Sequence, residues 1–248
     1  MAGVFNYVSD VIVSGTADDD NIISYGNNDT IIGFGGDDTI LSAGQEVLIY
    51  GDSLVTGGED SGTGKDLIFG REGPDTIWGG ASADTMTGGG SFTTSGIDTF
   101  SFGWVPQARL PTLDTTDFQG NNDLIIDFDQ ASGDTIDLNG YMLEPNTGVF
   151  LGTKPFTDEN VLQVRYEDQG DTTAVQFKAP TSSNVATAQT GEIDLGGKAY
   201  VLTIADFAPG LEDRSGTGCS APPTEEVDWN ALAAQVLANF AATGHWFV

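Results

Sequence analysis

The sequence has few of the residues on which several common kinds of protein depend. It contains one cysteine, Cys219, and one histidine, His245, in 248 residues. A single cysteine forms neither an internal disulfide nor a cysteine-rich metal site. Zinc hydrolases and Ser-His-Asp hydrolases hold an imidazole in their sites, and one histidine near the end of the chain gives them little support.

Basic residues are also scarce. The chain has 8 Lys and Arg against 37 Asp and Glu, which gives a net charge of −29. Nucleic-acid binding depends on clusters of Lys and Arg, so nucleic acid is not an expected partner. The excess of negative charge opposes a compact state unless bound cations neutralise it.

Long apolar runs are missing as well. No stretch approaches the roughly 20 apolar residues of a transmembrane helix, so no membrane span is expected. Residues 1–10 lack the basic and apolar segments of an N-terminal signal peptide. The hydrophobic content of 39% and the aromatic content of 10% nevertheless suffice for a folded core.

A nine-residue repeat rich in glycine and aspartate is the strongest pattern that is present. Residues 15–41 divide into GTADDDNII, SYGNNDTII and GFGGDDTIL, and a second block from residue 61 reads SGTGKDLIF, GREGPDTIW and GGASADTMT. A seventh unit begins at Gly88 and contains a five-residue insertion. The sixth-place residues are Asp20, Asp29, Asp38, Asp66, Asp75, Asp84 and Asp98. The eighth-place residues are Ile22, Ile31, Ile40, Ile68, Ile77, Met86 and Phe100.

Each place in the unit has a physical role. Glycines in the first half permit tight turns that aim carbonyl oxygens inward. The aspartate adds a hard anionic oxygen, and Ca²⁺ accepts six to eight oxygens in flexible geometry, which makes Ca²⁺ the predicted cofactor. The eighth-place side chain is expected to point into a narrow core. The predicted metal-binding residues of the repeats are the seven sixth-place aspartates together with Gly15, Gly33, Gly35, Gly62, Gly64, Gly70, Gly79 and Gly88.

The spacing also predicts which aspartates meet. If each coil has two strands and two loops, loops on one side recur every 18 residues, which predicts the pairs Asp20 with Asp38 and Asp66 with Asp84. The same spacing pairs Asp75 with Asp98 once the five-residue insertion is subtracted. Asp29 lacks such a partner because Val47 occupies the matching place. Residues 42–60 break the register, which predicts a distorted coil or an excursion. Ordinary β-hairpins are the alternative, but they do not require an aspartate at a fixed distance from an isoleucine.

The repeats resemble the nonapeptide of the RTX (repeats-in-toxin) calcium-binding proteins. IIDFDQASGDTIDL, residues 125–138, resembles the segment that follows the β-roll in serralysin-type proteases and some secreted lipases. The resemblance covers roughly residues 12–210 and includes no protease domain. It implies an all-β fold in which a parallel β-roll is followed by an antiparallel β-sandwich cap.

The second half of the chain adds further candidates. Segments beginning at residues 161, 172 and 191 alternate polar and apolar residues, as antiparallel strands do. Acidic residues in the stretch before them are candidates for another calcium site, and turn formation is the alternative explanation for them. These candidates are Asp123, Asp127, Asp129, Asp134 and Asp137.

Four segments of the chain are predicted from these patterns. They are the RTX β-roll at 1–105, the β-sandwich cap at 106–210, a linker at 211–224, and a C-terminal helix with an apolar stripe at 225–248. The resemblance implies that this last part is an uncleaved signal for the type I secretion machinery. The terminal apolar triplet fits that interpretation, whereas His245 stands where an acid is expected. Packing of the helix on the cap is the alternative.

The function expected from these features is noncatalytic. The protein is predicted to stay expanded at low Ca²⁺, to be secreted, and to fold on Ca²⁺ as an extracellular or cell-surface matrix or adhesion protein. Extracellular polysaccharide or a cell surface is the expected partner, with Trp78, Phe92, Phe102 and Trp104 as candidate contacts if they do not pack in the core. A folding module of a larger hydrolase and a polysaccharide-active enzyme are the alternatives, because paired carboxylates also serve glycosidases.

Overall fold

A computed structural model describes residues 2–52, 63–89, 96–103, 122–142, 147–181 and 189–216. The described residues belong to one compact unit, Met1–Gly216. They form seventeen strands and one short 3₁₀ helix, Ile204–Asp206, which confirms the predicted all-β class. The strands are β1 Ala2–Asn6, β2 Ile12–Ser14, β3 Asp20–Ser24, β4 Thr30–Phe34, β5 Thr39–Ser42, β6 Leu48–Asp52, β7 Leu67–Phe69, β8 Thr76–Trp78, β9 Thr85–Thr87, β10 Thr99–Gly103, β11 Asp123–Ile125, β12 Thr135–Gly140, β13 Gly148–Phe150, β14 Gln163–Asp168, β15 Thr173–Ala179, β16 Gln189–Leu195 and β17 Leu211–Asp213. The predicted helix at 225–248 lies outside the described residues.

Strands β1 to β12 alternate between two parallel sheets. One sheet has the order β1-β3-β5-β7-β9-β11 and continues into β16-β15-β14-β13-β17, and the other has the order β12-β10-β8-β6-β4-β2. Each coil therefore contributes one strand to each sheet, as the 18-residue spacing predicts. This is the parallel β-roll.

The two sheets enclose a narrow core made by the eighth place of each unit. Ile22 pairs with Ile40 in one sheet, and Ile31 pairs with Ile49 in the other. All seven predicted eighth-place residues are fully buried. Burial of an isoleucine side chain stabilises a fold by about 1.5–3 kcal/mol, so this column holds the sheets together.

Residues 42–52 correct one prediction. Strand β6 pairs with β4 and β8 in full register, and Ile49 is buried in the core. The prediction of a distorted coil or an excursion is wrong for this segment, because SAGQEVLIY is a regular unit with Val47 in the sixth place. Residues 53–62 lie outside the described residues.

The roll also begins earlier than the aspartate pattern indicates. Strand β1 pairs with β3, so that Val4 lies beside Ile22, and β2 pairs with β4, so that Val13 lies beside Ile31. The corresponding sixth places hold Ala2 and Val11. These coils escape a pattern defined by aspartate because they carry none in that place.

Strands β14, β15 and β16 are antiparallel, as the alternating segments predict. Strand β16 also pairs in parallel with β11, so the cap extends a sheet of the roll without interruption. One cluster of buried side chains runs from Val13 to Phe207. Among the described residues, no helix has the length and hydropathy that a membrane crossing requires. The proposed domain boundaries stay predictions.

Candidate metal centre

The sixth places of successive coils form two columns, one along the edge of each sheet. We call them ladder A and ladder B. Successive ladder residues are 18 positions apart in regular coils and 28 where residues 53–62 intervene, and the last steps span 23, 36 and 39 positions. Ladder A consists of Asp20, Asp38, Asp66, Asp84 and Asp123, and ladder B consists of Asp29, Val47, Asp75, Asp98 and Asp134.

In ladder A, each carboxylate accepts a hydrogen bond from the backbone of the preceding coil. Asp20 N donates to Asp38 Oδ1 over 2.8 Å, Asp38 N donates to Asp66 Oδ1 over 2.8 Å, and the pattern repeats from Asp66 to Asp84 and on to Asp123. The two predicted pairs on this side are thus brought together. The structure joins them into one continuous series.

Ladder B follows the same rule with one interruption. Asp75 N donates to Asp98 Oδ1 and Asp98 N donates to Asp134 Oδ1, each over 2.9 Å. Val47 N donates to Asp75 Oδ1 over 2.9 Å, but its own side chain offers no acceptor to the coil of Asp29. Because of this valine, Asp29 has no carboxylate in the following coil, as the spacing predicts.

The second oxygen of several ladder carboxylates has no protein partner. Asp38, Asp66 and Asp75 are 2%, 3% and 1% exposed, and the Oδ2 atom of each is buried without a hydrogen bond. A buried acceptor with no donor costs about 1–3 kcal/mol, and more when it is charged. These three atoms are therefore positions at which a bound cation would stabilise the fold.

First-place glycines leave room beside these atoms. A Cβ built on Gly33 would overlap Asp38 Oδ2 and Gly51 O, and a Cβ on Gly70 would lie 2.7 Å from Asp75 Oδ2 and 2.6 Å from Gly88 O. The absence of a side chain is thus required where a carboxylate oxygen and a carbonyl oxygen of the next coil converge. Converging hard oxygens of this kind are what Ca²⁺ prefers.

Among the described residues, no three carboxylate, imidazole or thiol side chains lie together as a metal-binding group. A site here consists of one aspartate and backbone carbonyls rather than a carboxylate cluster. The residues present fit calcium on these terms. Asp38, Asp66 and Asp75 would hold the ion with carbonyls of the glycine loops. The positive charge of the ion would balance the negative charge of these buried carboxylates.

Burial changes the acid strength of the ladder. Desolvation, together with the charge of neighbouring aspartates, raises the pKa of Asp38 and Asp66 to about 7 and that of Asp75 to about 8. The same causes raise the pKa of Asp98 to about 7. Without cations these carboxyls are partly protonated at neutral pH.

We expect the calcium-free chain to be more stable in acid than in base. A carboxyl whose folded pKa is raised binds more protons when folded, so stability falls as pH rises from about 4 to about 8. In EDTA, the Tm at pH 5 should exceed that at pH 8 by roughly 10 °C. In excess Ca²⁺ the order should reverse, because protons compete with the metal. Thermal unfolding followed by circular dichroism measures the Tm in both buffers. If the Tm depended on pH in the same way with and without Ca²⁺, the assignment of these carboxyls as calcium ligands would be contradicted.

Other predicted residues have different places. Asp127 accepts hydrogen bonds from the backbone of Gly88 and Gly89, and Asp129 accepts from Ala131 N and Ser132 Oγ. Asp127 thus joins a loop that lies 38 to 39 residues earlier in the chain, whereas Asp129 accepts hydrogen bonds within its own loop.

Three further predicted metal-binding residues do not belong to either ladder. Asp137 lies on β12 and accepts a hydrogen bond from Asn139 N. Gly35 N donates to Thr16 O over 3.2 Å, and Gly64 N donates to Asp52 Oδ1 over 3.0 Å. Gly62 lies outside the described residues.

A comparison with known protein families identifies the repeats. The model of the RTX calcium-binding nonapeptide repeat (4 copies) matches residues 14–45 and 60–94. The chain carries RTX calcium-binding nonapeptide repeats. No curated protein sequence matches the chain significantly.

Two solved structures of repeat subunits are similar to the chain. Both belong to the mannuronan C5-epimerase of Azotobacter vinelandii. The AlgE6R2 subunit has 20% identity and a TM-score of 0.32, with 82% of this chain and 90% of that chain covered. The AlgE6R3 subunit has 19% identity and a TM-score of 0.35, with 89% of this chain and 84% of that chain covered.

The aspartate pattern missed three residues that contact ladder carboxylates. Thr16 donates to Asp20, and Asn6 and Ser24 donate to Asp29. Ser24 occupies a first place in which most units have glycine, and this departure was the available signal. Asn6 could be found only by extending the register to a coil that has no aspartate.

Proposed function

We propose that the protein is a secreted, noncatalytic RTX calcium-binding protein that folds when it meets Ca²⁺ outside the cell. The observation that carries the proposal is the set of buried carboxylate oxygens without partners at Asp38, Asp66 and Asp75. In a chain of net charge −29, cations at these atoms both remove repulsion and satisfy buried acceptors.

Calcium at extracellular concentration is sufficient for this role. Extracellular modules bind Ca²⁺ with Kd of about 10⁻⁴–10⁻³ M. A site with a Kd of about 10⁻⁴ M adds about 1.4 kcal/mol of stability in 1 mM Ca²⁺, and several sites in one roll add together. The cytoplasm holds too little Ca²⁺ to supply this stabilisation, which favours folding after export by the type I secretion machinery.

A noncatalytic role is supported by the position of the acids. Ladder aspartates that lie in neighbouring coils are almost completely buried, and their Oδ1 atoms accept hydrogen bonds from backbone amides. A polymer substrate could not reach them without unfolding of the coil. Binding to extracellular polysaccharide or to a cell surface is the activity we propose, and the serralysin-like cap sequence at 125–138 is consistent with an exported protein.

Calcium titration tests the folding mechanism. We expect the chain in EDTA to show reduced β-sheet circular dichroism at pH 8, and to gain the remainder cooperatively between about 0.1 and 5 mM Ca²⁺. The same concentrations of Mg²⁺, which demands tighter octahedral geometry, should restore much less. A spectrum that neither EDTA nor Ca²⁺ changes would refute the proposal.

A further inference from the structure

The two ladders differ along their length in what occupies the second carboxylate oxygen. In the middle, Asp38, Asp66 and Asp75 present Oδ2 atoms that no protein group contacts by hydrogen bond. Towards the N-terminal end, the corresponding atoms of Asp20 and Asp29 accept hydrogen bonds from side chains. The same residue type in the same place thus has two environments.

Asp29 is the clearest case. Its Oδ2 accepts a hydrogen bond from Asn6 Nδ2 over 2.8 Å and another from Ser24 Oγ. Its Oδ1 accepts from Val11 N over 3.2 Å. Ser24 holds the first place of this unit, so its side chain stands where Gly33 and Gly70 leave space beside Asp38 and Asp75.

Asp20 reaches the same result by another route. Its unit begins with Gly15, but the next residue, Thr16, turns its hydroxyl inward. Thr16 N and Thr16 Oγ1 donate to Asp20 Oδ2 over 2.7 and 2.8 Å. A hydroxyl donor therefore takes the place beside this carboxylate as well.

At the C-terminal end of ladder B, protein donors also satisfy both oxygens of the carboxylate. Asp134 Oδ1 accepts a hydrogen bond from Asp98 N, and Asp134 Oδ2 accepts one from Asp129 N, each over 2.9 Å. Both oxygens of this carboxylate are used by backbone amides. Donors of the protein thus satisfy Asp20, Asp29 and Asp134, whereas the Oδ2 atoms of Asp38, Asp66 and Asp75 lack such donors.

We infer that Asp20, Asp29 and Asp134 are metal-independent caps and that Ca²⁺ binds only to the central part of the ladders. The inference rests on the proposed calcium binding and refines it. Donor hydrogen atoms and a cation compete for the same oxygen, so a carboxylate with two good donors gains little from the metal. The coils of β1 to β4 then keep their structure when Ca²⁺ is removed.

Calcium stoichiometry tests this assignment directly. Equilibrium dialysis with metal analysis gives the number of ions bound per chain for the wild type, Asp29→Asn and Asp66→Asn. We expect Asp66→Asn to bind one ion fewer and Asp29→Asn to bind the same number as the wild type. A loss of one ion in both variants would overturn the inference. A wild type that binds no calcium would instead refute the proposed function.

A gain-of-site variant makes the test independent of any loss of folding. Replacing Asn6 by Ala and Ser24 by Gly removes both side-chain donors from Asp29 Oδ2 and opens the place beside it. This double variant should bind one additional Ca²⁺. The matched control is Ser42→Gly, which makes the same first-place change in a unit whose sixth place is Val47. An equal count in the double variant and the wild type would contradict the inference.

Hydrogen exchange on the wild-type chain supplies a third readout. In EDTA, amides of β3 and β4 should exchange at least about tenfold more slowly than those of β7 and β8. With Ca²⁺ the two groups should differ by less than about threefold. Equal exchange of all four strands in EDTA would show that the first coils depend on calcium as much as the central ones.

Discussion

Asp66→Asn should stabilise the calcium-free chain and destabilise the calcium-bound chain. The amide keeps an oxygen that accepts from Asp38 N, so the ladder contact of 2.8 Å survives. It also places an N–H donor where Asp66 Oδ2 and Gly79 O converge beside Gly51. Without metal this replaces a buried acceptor that has no partner. With metal it removes the anionic ligand.

The expected magnitudes differ in sign and size. In EDTA at pH 8 we expect a gain of about 1 kcal/mol in the free energy of unfolding, because a neutral amide is easier to bury than an ionised carboxylate. In 5 mM Ca²⁺ we expect a loss of about 3 kcal/mol, typical of removing one member of a buried charged pair. Urea unfolding in the two buffers measures both. A loss of similar size in both would mean that Asp66 serves only as a backbone cap.

Asp37→Asn is the control for this experiment. It is the same substitution in the adjoining coil, and Asp37 also accepts a backbone hydrogen bond, from Lys65 N over 2.9 Å. Asp37 is exposed, however, so neither oxygen is cut off from water. Its replacement should change stability by less than about 0.5 kcal/mol in either buffer.

Val47→Asp combined with Ser42→Gly should create a new calcium site in ladder B. The aspartate supplies the missing carboxylate between Asp29 and Asp75, and the glycine opens the first place beside it. We expect one additional Ca²⁺ per chain and a gain of about 1–2 kcal/mol in 5 mM Ca²⁺. In EDTA the same variant should lose about 2–3 kcal/mol, because a carboxyl replaces a buried valine.

The single variant Val47→Asp separates the two contributions. Ser42 stands in the first place, as Ser24 does beside Asp29, so its hydroxyl should donate to the new carboxylate. This variant should therefore keep the wild-type number of calcium ions. An additional ion in the single variant would show that a first-place serine does not exclude the metal, contrary to the inference drawn from Ser24. Calorimetric titration with Ca²⁺ measures both variants.

The nine-residue period was sufficient to predict the roll, because each place does one physical task. An aspartate in the sixth place and an apolar residue in the eighth fix the two-strand coil and its core. The pattern failed where the sixth-place aspartate was absent but the eighth-place apolar residue remained. Val47 lacks the carboxylate, yet Ile49 still fills the core, so the coil forms although the aspartate signal disappears.

The chemistry of individual sites was less accessible from the sequence. All seven repeat aspartates look alike in a pattern of single letters. The difference between Asp29 and Asp38 comes from residues of other coils and from the hydroxyl of Ser24, which only the register of three strands brings together. Similarly, Asp38 and Asp66 are neighbours only once the ten residues 53–62 are removed from the count.

The direction of the ladder hydrogen bonds makes the roll unequal at its two ends. Except where Val47 replaces an aspartate, each ladder coil presents its sixth amide to a carboxylate that belongs to the following coil, as Asp66 N does to Asp84. A coil is therefore completed by its successor and not by its predecessor. Shortening the roll from the C-terminal side strips an acceptor from the last coil that remains, whereas shortening it from the N-terminal side leaves every remaining amide with its carboxylate. The array is accordingly directional, because each coil depends on the coil that follows it.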